Sequence, residues 1–340
     1  MGAVQPIRIT STQIRPYTIQ FQRPFIIAGG GAIAHREGLI LTLSNGIFNG
    51  QGEIAPLEGV SSETFKKAKH DLFVIEPQLN GIELPETLND LVSFLKDFRP
   101  FEQACSSVRF GVESAIMDLV SQFHNMTLAQ FLMASLKEVS TAILLQGSLE
   151  EVMHEAKVRE SQGYKVFKLK VGDRNIPLDV KKVNQLRKIL SADSSIRLDA
   201  NRAWALNEAV LFGELIGQDR IEFIEEPLKD ISHINTFYEK TLIPVALDET
   251  LRVLRCGLNT PGRCVPGLDR NEAVSAYVLK PTVLGGITVT LDWIHQSKDL
   301  NKKAIISSCF ESPIGLGTLK NLALLTGNIP GLGTDLWFKQ

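Results

Sequence analysis

The sequence is poor in the features that mark secreted, zinc-binding and nucleic-acid-binding proteins. It has four cysteines in 340 residues and no Cys-x-x-Cys pair, which argues against a disulfide framework or a zinc site and fits a reducing compartment. The net charge is −2, and no basic stripe of the kind that binds nucleic acid is visible. We therefore expect a cytoplasmic protein that has no nucleic-acid partner.

Long hydrophobic runs are also missing. The best candidate, Phe25 to Ala34, is broken by three consecutive glycines, whereas a membrane-spanning helix needs about 18 apolar residues. The N-terminus carries Arg8 and Arg15 in alternating polar sequence rather than an apolar signal core. We expect neither a membrane partner nor a secretion signal. The apolar fraction of 44% is nevertheless large enough for a sizeable core.

Residues 1 to about 57 predict an antiparallel meander. Residues alternate from Ile7 to Arg15, Leu39–Leu43 is a strand, and residues 50–56 form a turn and a short strand. The glycine-rich stretch from Phe21 to His35 predicts a mobile loop between them. Helical patterns follow near 62–75, 87–97, 101–122 and 127–135.

From about residue 141 short apolar strands alternate with helical stretches, which predicts a parallel sheet. Eight strands favour a closed barrel over a doubly wound sheet. The segment 252–270, rich in glycine and proline, predicts an irregular connection after the fifth strand. The expected strands are 142–147, 165–171, 196–200, 221–226, 244–249, 276–280, 304–308 and 332–336.

Acidic residues end three neighbouring strands of this predicted barrel. Asp199, Glu225 and Asp248 are each separated by the length of one strand–helix unit. Barrel enzymes keep their sites at the carboxyl ends of the strands, so the three carboxylates would meet there and repel one another unless a hard cation lay between them. Magnesium suits such an oxygen-rich set, and Glu226 and Glu249 are adjacent alternatives as ligands.

Lysines mark two further strands. Lys168 and Lys170 lie on one face of the second strand, and Lys280 ends the sixth, opposite them in a barrel. A lysine close to another ammonium group and to a dication favours its neutral form and can act as a base. A base beside a cation that holds a carboxylate can abstract the proton alpha to that carboxylate, because the cation stabilises the resulting enediolate.

Together these motifs resemble the enolase superfamily, in its muconate-lactonizing subgroup. The likeness covers nearly the whole chain and implies an α/β fold, a modified TIM barrel (β/α)7β at residues 136–340 under an α+β capping domain at residues 1–135. A loop near 20–35 would cover the substrate, and the C-terminal end would pack back on the cap. The motifs are Lys168-x-Lys170, Asp199-Ala-Asn201, Glu225-Glu226-Pro227, Asp248-Glu249, Lys280-Pro281, the Gly52–Leu57 stretch and the Ser307–Leu316 stretch.

The resemblance implies a lyase that binds a small carboxylate. Its reaction would be the magnesium-dependent syn dehydration of a cyclohexadiene carboxylate bearing a hydroxyl group and a succinyl chain, on the route to menaquinone or phylloquinone. Asp199, Glu225 and Asp248 would hold Mg²⁺, for which Mn²⁺ could substitute.

The same resemblance implies a role for each remaining motif residue. Lys170 would remove the alpha proton and then protonate the departing hydroxide, and Lys280 would stabilise the enediolate from the other face. Lys168 would lower the pKa of Lys170. The substrate contacts would be Arg197, Asn201 and Ser308, the last of them to the succinyl carboxylate.

Other functions of the same subgroup remain open. An N-acylamino acid racemase would use the same two lysines, one on each face of its substrate. Dipeptide epimerases of the subgroup tend to carry Asp-x-Asp at the last strand, where this chain has only Asp335, and muconate cycloisomerisation has less in its favour. A binding protein that has lost catalysis is a remote alternative, since every catalytic role can be filled.

Overall fold

The computed structural model describes residues 6–26, 31–134, 140–172, 175–254, 268 and 271–339. The elements of the N-terminal part are β1 (Ile7–Arg8), β2 (Ser11–Ile26), β3 (Ala32–Ser44), β4 (Asn49–Ile54), α1 (Phe65–Leu79), β5 (Glu83–Leu84), α2 (Leu88–Lys96), α3 (Ser106–Phe123) and α4 (Leu128–Phe131). A 3-10 helix at Arg99–Gln103 precedes α3. Strands β2, β3 and β4 form an antiparallel sheet in that order, which confirms the predicted meander, and β1 pairs with β5.

The stretch from Phe21 to His35, predicted to be a loop, is mostly paired strand. β2 continues to Ile26, β3 begins at Ala32, and Phe25 lies opposite Ile33. The ring of Phe25 is buried and lies 4.4 Å from the ring of Phe310, centroid to centroid. This contact joins the strand to a residue far away in the chain, which local sequence cannot predict. Residues 27–30 lie outside the described residues.

Helix α3 is the core helix of the N-terminal part and lies directly against β4. The two backbones approach so closely that a Cβ atom on Gly52 would lie 1.8 Å from the carbonyl oxygen of Gly111. Glycine is required at position 52 because any side chain would force the strand and the helix apart.

We predict that Gly52→Ala lowers the free energy of unfolding by about 3 kcal/mol, since backbone atoms on both sides of the clash must move. Urea unfolding measures the loss. The matched control is Gly317→Ala within a helix, where a Cβ meets nothing within 4 Å and alanine should stabilise the helix by about 0.5–1 kcal/mol. Equal stability of the Gly52→Ala and wild-type proteins would contradict the close approach.

The rest of the chain alternates parallel strands with helices, as the sequence predicts. The strands are β6 (Ile143–Leu145), β7 (Val166–Lys170), β8 (Ser195–Asp199), β9 (Ile221–Glu225), β10 (Val245–Leu247), β11 (Val274–Leu279) and β12 (Lys303–Ile306). The helices are α5 (Leu149–Ser161), α6 (Ile176–Ile189), α7 (Leu206–Ile216), α8 (Ile234–Thr241), α9 (Glu249–Val253), α10 (Pro281–Leu284), α11 (Ile287–Asp299) and α12 (Pro313–Ala323), with 3-10 helices at Ile231–His233 and Asp335–Trp337.

The seven parallel strands follow one another in chain order from β6 to β12. Residues 330–332 connect the two edges of this sheet: the Gly331 N–H donates to the Ile306 carbonyl at 2.8 Å, and the Ala142 N–H donates to the Pro330 carbonyl at 2.7 Å. These three residues therefore take the eighth strand position and close the barrel. The expected strand at 332–336 is wrong, because the chain turns into a 3-10 helix at Asp335.

Two buried glutamates of the N-terminal part bind the amino ends of barrel helices. Glu53 on β4 accepts from the N–H groups of Ser312 and Gly315 at the start of α12, each at 2.9 Å, and from the Tyr17 hydroxyl. Glu113 on α3 accepts from the N–H and hydroxyl of Thr288 at the start of α11, each at 2.8 Å. The first N–H groups of a helix have no partner within the helix, so a carboxylate that accepts from them is favoured. Each glutamate therefore joins the N-terminal part to the barrel.

The C-terminal end also lies against the N-terminal sheet, where Phe338 bridges Phe21 in antiparallel fashion and the Lys339 N–H donates to the Gln20 carbonyl at 2.9 Å. Most of the predicted irregular connection, residues 255–267 and 269–270, lies outside the described part of the chain. Within the described residues, none of the helices has the length and apolar character that crossing a membrane requires.

Candidate active site

The strand register brings the predicted site residues to one end of the barrel. Lys170 is the register partner of Asp199, and Asp199 of Glu225, on the adjacent strands β7, β8 and β9. Asp248 follows β10 and Lys280 follows β11 at the same end. With residues 330–332 as the eighth position, β7 and β11 lie four positions apart, so Lys170 and Lys280 approach the barrel mouth from opposite sides.

Carboxylates and lysines pair in the centre of this cluster. The ammonium of Lys168 donates to Glu225 at 2.6 Å and lies 3.0 Å from Asp199, and Lys280 bonds Asp248. Burial opposes a charge on each lysine, but the neighbouring carboxylates prevail and raise the pKa of Lys168 and of Lys280. Both lysines are therefore fixed cations.

The three predicted metal ligands are almost completely buried, with exposed fractions of 2–3%. Burial alone would raise the pKa of Asp199, but the charges of Lys168 and Lys170 hold it below its usual range. Burial and the like charges of Asp199 and Asp248 raise the pKa of Glu225 to about 7. Burial is the largest cause of the raised pKa of Glu225, and a cation beside this carboxylate would favour its charged form.

The donor chemistry fits a hard divalent cation. Asp199, Glu225, Asp248 and Glu249 offer only carboxylate oxygens, and Oε2 of Glu249 is buried without a hydrogen-bond partner among the described residues. As the side chains stand, no group of three His, Cys, Asp or Glu residues in that part of the chain is arranged to hold an ion. Lys168 lies between two of the carboxylates and Lys280 bonds the third, so binding requires these side chains to separate.

Lys170 has a different environment from the other two lysines. Its ammonium donates to the Asn201 side-chain oxygen at 2.8 Å, and the Asn201 amide donates to Glu249 at 3.1 Å. The carboxylate of Asp199 is farther away, at 3.8 Å. Asn201 therefore fixes the direction of Lys170, and the lysine is not locked in a close ion pair.

A pocket opens above the cluster, and most of the residues on its remaining sides are apolar. Lys168, Lys170, Lys280, Asp199, Asn201 and Glu249 line its floor together. Its walls come from both parts of the chain and are formed by Phe25, Leu57, Val60, Ala142, Leu144, Ser307, Ser308, Cys309, Phe310, Gly331 and Thr334. A ligand with a charged end and a ring or hydrocarbon body matches this division.

Two of the three predicted substrate contacts line the pocket, and the third does not. Asn201 and Ser308 are in its lining, although the Ser308 hydroxyl already donates to Glu311 at 2.5 Å. Arg197 lies outside it, because its guanidinium pairs with Glu222 at 2.7 Å and donates to the Ile329 carbonyl at 2.8 Å. The expectation that Arg197 contacts substrate is not supported, since its charge is satisfied inside the barrel.

The sequence reasoning missed Arg252, which also lines the pocket. Its guanidinium donates to the Val60 carbonyl at 2.6 Å and so holds a wall residue from the N-terminal part. The available signal was its spacing, since Arg252 follows Asp248 by one helical turn. Nothing in the sequence indicated that Phe25 and Val60 form part of the pocket walls, because their position depends on how the two parts of the chain pack.

Family models match both parts of the chain. Residues 9–119 match the MenC N-terminal domain, and residues 151–333 match the enolase C-terminal domain-like family. The o-succinylbenzoate synthase of Aliivibrio fischeri strain MJ11 is 32% identical over 330 residues, covering 94% of this chain and 90% of its own. That of Haemophilus influenzae is 34% identical over 307 residues, covering 89% and 83%.

A solved structure shares the fold. It is the dipeptide epimerase of Enterococcus faecalis V583 complexed with Mg and the dipeptide L-Leu-L-Tyr, with a TM-score of 0.82 and 20% identity over 98% of this chain and 92% of that one. A capped barrel with charged groups at the strand ends thus defines an enzyme of the enolase type. The chain belongs to the enolase superfamily and, within it, to the family of the o-succinylbenzoate synthases.

Proposed function

We propose that the enzyme is an o-succinylbenzoate synthase. It converts 2-succinyl-6-hydroxy-2,4-cyclohexadiene-1-carboxylate into o-succinylbenzoate in menaquinone or phylloquinone biosynthesis. The observation that carries the proposal is one pocket lined by Asp199 and, from opposite sides, by Lys170 and Lys280, with the carboxylates of Glu225 and Asp248 buried close by. The names of the relatives that span nearly the whole chain support the choice of reaction.

The reaction removes one molecule of water from the ring. The C–H bond alpha to the carboxylate breaks, the C–O bond of the neighbouring hydroxyl breaks, and a double bond that completes the aromatic ring forms between the two carbons. Asp199, Glu225 and Asp248 would hold Mg²⁺, or Mn²⁺ in its place. When bound, the ion would supply positive charge beside the substrate carboxylate and make the alpha proton more acidic.

Lys170 is the proposed base. The hydrogen bond that Lys170 donates to Asn201 orients its nitrogen at the pocket floor, where a substrate carboxylate directed at the acidic cluster would bring the alpha carbon within reach. The same nitrogen then returns the proton to the departing hydroxide, which suits a syn elimination because both groups leave from one face of the ring.

Lys280 and Lys168 supply fixed positive charge. The neighbouring carboxylates favour the charged form of both, and in the proposed reaction Lys280 is the cation that stabilises the negative charge developing on the substrate from the face opposite Lys170. Lys168 places a cation on the same strand face as Lys170. The apolar walls would receive the ring, and Ser308 is the proposed contact for the succinyl carboxylate.

The proposed function predicts a metal-dependent absorbance change. The purified protein, given substrate and Mg²⁺, should produce an aromatic product that absorbs in the ultraviolet, and EDTA should abolish turnover until Mg²⁺ is restored. Absence of turnover with Mg²⁺ present would refute the proposed reaction.

Asp248→Asn should weaken Mg²⁺ binding at least about 10-fold by calorimetry, because it removes a ligand charge. The control is Asp193→Asn at an exposed site, which should leave Mg²⁺ binding unchanged.

Racemisation of N-acylamino acids is a second candidate, which the pair of lysines in one pocket favours. One lysine would remove the alpha proton and the other would return it from the opposite face. Incubation of a panel of N-acylamino acids in D₂O, followed by NMR and chiral chromatography, tests it. A dipeptide epimerase is disfavoured, because Asp335 starts a 3-10 helix and does not line the pocket.

A further inference from the structure

Glu226 directly follows the predicted metal ligand Glu225, but its side chain points in a different direction. Its side chain is completely buried, it has a left-handed φ of 40°, and it does not line the pocket. Non-glycine residues adopt this conformation only where the surroundings impose it. The structure therefore does not support Glu226 as the alternative ligand and raises the question of what its charge does.

Hydrogen-bond donors occupy both oxygens of the Glu226 carboxylate. Oε1 accepts from the Asp248 N–H at 3.0 Å and the Thr250 N–H at 2.7 Å. Oε2 accepts from the Arg202 guanidinium at 2.9 Å and the Thr250 hydroxyl at 2.9 Å. We call these contacts between Arg202, Glu226, Asp248 and Thr250 the Glu226 network.

The members of the Glu226 network come from three separate loops. Arg202 follows β8, which ends at Asp199; Glu226 follows β9, which ends at Glu225; and Asp248 with Thr250 follows β10. In each of these three connections, the residue that joins the Glu226 network lies within three residues of a proposed metal ligand or is that ligand. The Arg202 N–H also donates to the Glu226 carbonyl at 2.7 Å, and the Arg202 guanidinium to the Thr250 hydroxyl at 2.7 Å.

We propose that Glu226 is a positioning residue that sets the spacing of Asp199, Glu225 and Asp248 and thereby the affinity of the site for its cation. The inference rests on the proposed function, because it presupposes that these three carboxylates bind a divalent metal. Glu226 acts through the backbone of the ligand-bearing loops and contacts neither the metal nor the substrate.

The charge of Glu226 is essential to this role. Two backbone N–H groups and a guanidinium can only donate hydrogen bonds, so the side chain between them must accept all of these bonds. An amide in its place would turn one NH₂ group toward these donors and lose the charge-assisted bond to Arg202. Loss of such a partner behind metal ligands typically costs about 10–100-fold in metal affinity.

The test compares Glu226→Gln with Glu113→Gln in the full chain. Both glutamates are completely buried and hydrogen-bonded to a threonine N–H and hydroxyl, and both have an arginine partner. We expect Glu226→Gln to weaken Mg²⁺ binding about 10–100-fold by calorimetry. Glu113→Gln should bind Mg²⁺ as wild type does, although thermal unfolding without metal should show both variants to be destabilised.

Unchanged Mg²⁺ affinity in a folded Glu226→Gln protein, or an equal loss in Glu113→Gln, would overturn the inference. If Glu226→Gln does not fold, Thr250→Val replaces it, since it removes a donor to Glu226 while keeping the side-chain volume; wild-type Mg²⁺ affinity in that variant would equally overturn the inference. Failure of the proposed function is distinguishable, because wild-type protein would then bind no Mg²⁺ or form no aromatic product.

Discussion

Replacing Lys170 by alanine is expected to lower the dehydration rate by about 10⁴-fold or more while the protein stays folded. A positioned general base contributes about 10²–10⁴-fold, and Lys170 is assigned both the removal of the alpha proton and the return of that proton to the leaving hydroxide. Its nitrogen has one hydrogen bond in the described structure, to Asn201, so its removal breaks little of the fold. Turnover followed by product absorbance measures the loss.

The Lys170→Ala experiment has a matched control and a second readout. Lys165→Ala removes a lysine near the opposite end of the same strand, where it pairs with Asp193 in solvent, and turnover should change less than twofold. Calorimetry of Lys170→Ala should show Mg²⁺ still bound. If Lys170→Ala turns over at a rate near that of the wild type, the base must be sought elsewhere, and Lys280 is the next residue to replace.

Replacing Glu53 by alanine is expected to cost about 4 kcal/mol of unfolding free energy. Each buried donor that loses its acceptor costs about 1–3 kcal/mol, and Glu53 accepts from Ser312, Gly315 and Tyr17 inside the interface between the N-terminal sheet and α12. The change also removes the carboxylate from the start of a helix. Urea unfolding should show a lower midpoint.

Glu58→Ala is the control for Glu53→Ala, because Glu58 is exposed on the chain that leaves the same strand and its loss should change stability by less than about 0.5 kcal/mol. Glu53→Gln separates charge from contact, since the amide can keep only part of the hydrogen bonds. An unchanged midpoint in Glu53→Ala would show that the interface does not depend on this carboxylate.

The sequence predicted the barrel and the end of it at which the charged residues meet. The strands from β7 to β11 read as short apolar runs, and the charged residues that end them are conspicuous because charges are rare at such positions. From the sequence, Glu226 remained open beside Glu225, and the structure separates the two: Glu225 pairs with Lys168, whereas Glu226 points in another direction, as expected for neighbours in a strand.

The errors have one physical origin, which is contact between residues distant in the chain. The strands around residues 21–35 pack against the barrel through Phe25 and Phe310, and the guanidinium of Arg197 is occupied by Glu222 and the Ile329 carbonyl. Glu226 gains its partners from two other loops. Local pattern does not contain such partners, so the sequence predicts which residues are chemically unusual better than it predicts what they touch.

The closure of the barrel at Gly331 has a consequence for how this enzyme can diverge. Peptide groups join the sheet edges there, and the Thr141 hydroxyl adds a bond to the Pro330 carbonyl and one from the Leu332 N–H. Thr334 makes none of these bonds, so a substitution there can change the pocket wall without opening the cylinder, whereas a Cβ on Gly333 would lie 2.9 Å from the Ala142 carbonyl oxygen. Natural variation can thus reshape one side of the binding chamber and leave its architecture intact.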